Sequence, residues 1–147
     1  MEVLKRTVSL LFLAMFILGT LVQFNDPDPI IWVTYWATAA LLPLMALTGV
    51  NTRHGLFSLV DKLARAAAIL VSLYWITTYL PGIKKDYQAK NGNILRMVIN
   101  QDGDIRMKDD QMELAREFGG AVIILVYTLV LYPLSTVGDE KVPGKRA

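Results

Sequence analysis

PIIWVTYWATAALLPLMALTGV, residues 29–50, decides the fold: 22 consecutive residues without one charged side chain. A helix that crosses the roughly 30 Å hydrocarbon core of a bilayer needs about 20 such residues. A core helix of a water-soluble domain would carry a polar stripe once per turn, and this stretch has none. A charge at the bilayer centre costs on the order of 3 kcal/mol, which is why its absence is informative.

Three more stretches have the same character. They run from Thr7 to Phe24, Ala66 to Ile83 and Phe118 to Gly138, so that 79 of the 147 residues lie in four runs. The expectation is an all-α membrane protein, four transmembrane helices in a small bundle forming one domain over residues 1–147. Lys5 and Arg6 precede the first run much as in a signal peptide. No small-x-small cleavage site follows near Gly19, Thr20 and Gln23, so this run is read as a retained helix.

Composition removes many functions. Net charge is +2, which gives no reason to expect nucleic acid. There is no cysteine, hence no disulfide, thiolate metal site, Fe–S cluster or cysteine nucleophile. One histidine, His54, makes neither a bis-histidine haem nor a multi-histidine zinc site. No catalytic residue, cofactor or metal set is assigned.

Four crossings put both termini on one side. Lys and Arg divide eight to seven between the two sides, so the short connections decide the orientation. The first, Asn25 to Asp28, holds two acids and no base, while the second holds Arg53, Lys62 and Arg65. The termini are therefore expected in the cytoplasm. Trp32, Tyr35, Trp36, Trp75 and Tyr79 would then lie towards the opposite interface, where amphipathic rings settle. Pro43 is expected to kink the second helix. Arg65 can snorkel to the headgroups with Asp61 one turn before it as an ion-pair partner.

Residues 84–117 form the one long connection. Within it Leu95–Asn100 and Asp104–Lys108 flank Asp102-Gly103, a turn signal, and a short β-hairpin is expected there. A lone hairpin is marginal in water and would need a surface to rest on. Residues 109–117 suit a helix that joins the fourth span.

Two motifs bear weight. In Gln23-Phe24-Asn25-Asp26-Pro27-Asp28-Pro29, Asp28 suits an N-cap and Pro29 the first helical position. Asn25, Asp26 and Asp28 could also offer oxygens to a cation or polar ligand. In Glu113-Leu114-Ala115-Arg116-Glu117-Phe118-Gly119-Gly120, the two acids share one helical face and Arg116 is within reach of Glu113. Both motifs fall on the same expected membrane face. Asn25, Asp26, Asp28, Glu113, Arg116 and Glu117 are thus a candidate polar cluster, with Arg116 pairing to the aspartate turn.

Gln23 to Asp28 with Trp32, Trp75, Tyr79, and Glu113, Arg116, Glu117 and Gly120 together resemble the transmembrane protein 220 family along all four helices. The resemblance implies a multi-pass membrane architecture and no established biochemical activity. The segment from Asn91 to Lys108 departs from the family pattern as a longer third connection.

The leading functional expectation is an accessory or assembly subunit, or a partner-binding protein, whose partners are the bilayer and another membrane protein or a second copy of itself. Its interface would be the polar cluster and residues 84–117. One alternative is a carboxylate enzyme acting on a lipid headgroup, with a divalent cation; another is a passive oligomeric pore. Coupled transport is disfavoured, because no acid lies well inside a span.

Overall fold

The computed structural model describes residues 2–25, 29–49, 55–93 and 110–136. Helix α1 runs Glu2–Val22 and ends in a short 3-10 turn, Gln23–Asn25. Helix α2 is Pro29–Thr48 and α3 is Gly55–Ala89. Helix α4, Asp110–Val126, continues through a π-helical turn, Tyr127–Leu131, into a last α-helical turn, α5, Tyr132–Thr136. No strand occurs among the described residues. Both arms of the expected hairpin, Leu95–Asn100 and Asp104–Lys108, lie outside them.

Three helices are long and apolar enough to cross a membrane: Glu2–Val22, Pro29–Thr48 and Met112–Thr136. Helix α3 is not one of the three. Its uncharged section, 66–83, is embedded in a longer helix that carries Asp61, Lys62 and Arg65 before it and Lys84, Lys85 and Asp86 after it. The helix starting at Asp110 runs on without a break into the last apolar run, as the composition of residues 109–117 leads one to expect.

The chain divides into two compact units, the first comprising residues up to Ile69 and from Val126 onward, the second Leu70–Leu125. In the first unit α1 and α2 pack as a hairpin. Gly19 makes this possible: a Cβ built there would fall 2.4 Å from Cε3 of Trp36, so the indole rests directly on the α1 backbone. Between helices in lipid, where burial from water contributes nothing, such close approach is a main source of association. Phe16 meets Trp36 edge-on at 5.9 Å and Tyr127 edge-on at 5.3 Å, and Phe12 stacks on Tyr127 at 4.6 Å. Trp32, Phe16 and Tyr127 are fully buried in this aromatic core.

The three aromatics of α2 occupy its first two turns as expected, but Trp32, Tyr35 and Trp36 are all buried by the chain itself. Pro43 is accommodated inside α2. Threonine hydroxyls are satisfied within their own helices: Thr20 donates to the Phe16 carbonyl, Thr38 to Thr34 and Thr77 to Leu73, at 2.7–2.8 Å. That removes unpaired donors from surroundings with no water to take them.

In the second unit α3 and α4 meet where Gly82 faces Leu114; a Cβ at Gly82 would lie 3.1 Å from the leucine Cδ1. Helix α3 stops through a left-handed residue pair, Asn91 at φ 52° and Gly92 at φ 75°, with the Gly92 N–H donating to the Tyr87 carbonyl. By contrast, a Cβ at Gly119 would meet nothing within 4 Å, so this glycine serves no close contact among the described residues.

Candidate functional site

The strongest concentration of buried polar chemistry lies in the first unit, at Asp61, Arg65 and Tyr132. Asp61 and Arg65 are one helical turn apart near the start of α3, and Nη2 of Arg65 stands 2.8 Å from Oδ2 of Asp61. This is the i,i+4 pair that the spacing predicts. The other carboxylate oxygen, Oδ1, accepts a hydrogen bond from the hydroxyl of Tyr132. The Arg65 guanidinium also lies over the Tyr132 ring, 5.6 Å from its centre, within range of a cation–π contact. Asp61 is 5 % exposed and Tyr132 1 %. A carboxylate so withdrawn from solvent is costly unless paired, and both of its oxygens are engaged.

The π turn positions the tyrosines. Its characteristic bond runs from the Tyr132 N–H to the Tyr127 carbonyl, five residues back. One turn is thereby closed by five residues, so Tyr127 and Tyr132 lie on one side of the helix, their rings tilted to each other and 6.2 Å apart. In an unbroken α-helix residues four apart would do so, and Tyr132 would swing away from Asp61. The Tyr127 hydroxyl lies close to those of Ser9 on α1 and Ser135 on α5 but has no hydrogen-bond partner among the described residues. Polar groups thus run from Ser9 through the tyrosines to the Asp61 carboxylate.

The second unit has its own buried acid, Asp86, 4 % exposed, with the Lys90 ammonium 3.3 Å from Oδ2. Each acid meets a base on its own helix, but whereas both oxygens of Asp61 are engaged, neither oxygen of Asp86 has a hydrogen-bond partner among the described residues.

The expected outer cluster divides between what is described and what is not. Asn25 closes the 3-10 turn after α1, and Asp26 and Asp28 lie outside the described residues. Pro29 opens α2, the position for which its fixed φ suits it. Glu113, Arg116 and Glu117 sit on the first two turns of α4, where Glu117 is buried and Arg116 donates through Nη2 to the Met112 sulfur at 3.4 Å. Among the described residues no three His, Cys, Asp or Glu side chains come together as a metal-binding group. Of the later aromatics, Trp75 stacks on Tyr79 at 5.1 Å and meets Tyr74 edge-on at 4.9 Å.

Tyr132 is the member of the site that sequence reasoning misses. The available signal is the five-residue spacing of Tyr127 and Tyr132 inside an apolar run, and it means nothing without the π turn.

Three helices long and apolar enough to cross a bilayer define an integral membrane protein. Within that class the chain belongs to the family described as Transmembrane family 220, helix, whose profile matches residues 15–133. No curated protein and no solved structure matches the chain.

Proposed function

We propose that this chain is a multi-pass membrane protein acting as an accessory or assembly subunit that binds another protein within the bilayer. The observation that carries this reading is the internal saturation of Asp61. Both oxygens of the most enclosed carboxylate among the described residues of the first unit are taken up by Arg65 and Tyr132, an arrangement that fixes helices in place. The packed rings of Phe12, Phe16, Trp36 and Tyr127 favour this scaffold role over a pore through the first unit, because they occupy its interior.

Helix α3 is the fourth crossing in this reading: its section 66–83 is uncharged and bracketed by Arg65 and Lys84, which suit the two headgroup layers. Both termini then lie in the cytoplasm, and the connections on the other side, residues 25–28 with Asn25, Asp26 and Asp28, and residues 84–117 with Glu113, Arg116 and Glu117, are the partner-facing segments of this reading.

The chain has no cysteine, so a single introduced one reports its own location. Cysteine at Gly144 or Ala147 should be protected from an impermeant thiol reagent added outside cells, and cysteine at Asn91 should be labelled. The reverse pattern overturns the orientation. For the partner, mild detergent purification should retain a membrane protein in fixed ratio, and replacing residues 94–108 by a short Gly-Ser linker should release it. A chain that purifies alone and monodisperse refutes the assembly role.

A further inference from the structure

We infer that Arg65, with Lys62 beside it, is a binding site for a phosphate oxyanion, supplied by the headgroup of an anionic phospholipid. The argument begins with unequal saturation in the Asp61 cluster. The carboxylate is full, since Oδ2 takes the guanidinium and Oδ1 takes the Tyr132 hydroxyl. The guanidinium is not. It carries five N–H donors in a planar fork, and among the described residues only Nη2 has an acceptor. Nε has none at all. The spare capacity is therefore for donation, and it needs an anion.

Geometry makes the group ready for one. The ion pair to Asp61 and the stacking over Tyr132 hold the guanidinium in place, so binding has little side-chain freedom left to remove. Its side chain is 36 % exposed, which gives a ligand an open approach. Lys62, three residues earlier on α3, is exposed and leaves Asp61, Lys62 and Arg65 with a net charge of +1. The uncharged section of α3 starts immediately after Arg65. This places the fork at the depth of lipid phosphates, a step that rests on α3 crossing the bilayer as proposed above. A planar fork matches two phosphate oxygens better than an ammonium does.

The test uses the full chain, delipidated in detergent and titrated with phosphatidylglycerol, with uncharged diacylglycerol, or with inorganic phosphate, read by native mass spectrometry. Phosphatidylglycerol should bind, and diacylglycerol should not. Asp61→Asn/Arg65→Gln removes both charges together and so strands neither. It should keep the chain folded and weaken phosphatidylglycerol binding roughly tenfold or more, the loss expected for a charge-assisted hydrogen bond. Lys62→Gln should weaken it less, and Asp61→Asn alone should keep or strengthen it by freeing Nη2. Unchanged binding by the double variant, or equal binding of diacylglycerol, overturns the site. Inorganic phosphate binding as tightly as the lipid overturns the lipid source. Cysteine labelling tests the crossing of α3 separately, so the two failures are distinguishable.

Discussion

Replacing Tyr132 by phenylalanine removes one hydroxyl and leaves the ring, its packing and its place under Arg65 intact. What changes is the hydrogen bond to Oδ1 of Asp61, in a site where the tyrosine is 1 % and the aspartate 5 % exposed. Burial of both groups leaves little room for solvent to replace the donor. Hydrogen bonds to charged groups contribute about 1.5–3 kcal/mol, so Tyr132→Phe should destabilise by about that amount. Tyr127→Phe is the control: it removes an equally buried hydroxyl whose neighbours, Ser9 and Ser135, are uncharged. That hydroxyl has no hydrogen-bond partner among the described residues, and even a neutral bond between membrane helices averages only about 0.6 kcal/mol, so its loss should cost little. Reversible unfolding in mixed detergent micelles would give both values. Asp61→Asn completes a cycle with Tyr132→Phe: once the acceptor is neutral, losing the hydroxyl should cost about 1 kcal/mol less. Equal losses for the two tyrosines, or additivity within about 0.5 kcal/mol in the cycle, would refute charge assistance at Tyr132.

The two glycines with opposite surroundings should respond oppositely: Gly19→Ala forces the Trp36 ring to move and should cost about 1–3 kcal/mol. Gly119→Ala has room for its methyl and should gain up to about 1 kcal/mol in helix propensity, both read as shifts in unfolding midpoint. Deleting the exposed Val130 should be tolerated, because it converts the π turn to α-helix and leaves the two tyrosines four apart on one face. Deleting Ile123 from regular α-helix rotates everything beyond it by roughly 100° and should abolish folding. Equal midpoints for the two deletions would mean that the extra residue of the π turn does not set the position of Tyr132.

The helices are legible in the sequence because membrane insertion imposes a simple demand, long uncharged runs, and residues 29–50 satisfy it without ambiguity. Asp61 and Arg65 are legible for a similar reason, since their spacing alone puts them in contact. The rings of α2 show where such reading ends. Interface preference explains why Trp32, Tyr35 and Trp36 cluster near one end of the helix, yet it gives no sign that all three are buried or that Trp36 turns towards Phe16 and Gly19. That choice depends on a glycine in another helix. Tyr132 is hidden for a related reason. Hydropathy patterns assume 3.6 residues per turn, and one π turn shifts every later residue by a position.

The bond between Asp61 and Tyr132 joins residues 71 positions apart, and this separation orders the events of synthesis. A ribosome feeding this chain into a bilayer delivers Asp61 while Tyr132 has yet to be made. During that interval Arg65, only four residues behind, is the aspartate's partner, so the carboxylate enters with its charge already balanced. The tyrosine hydroxyl arrives with the final helical turn among the described residues and fastens that turn to the start of α3. The local pair protects the nascent protein; the distant one closes the finished fold.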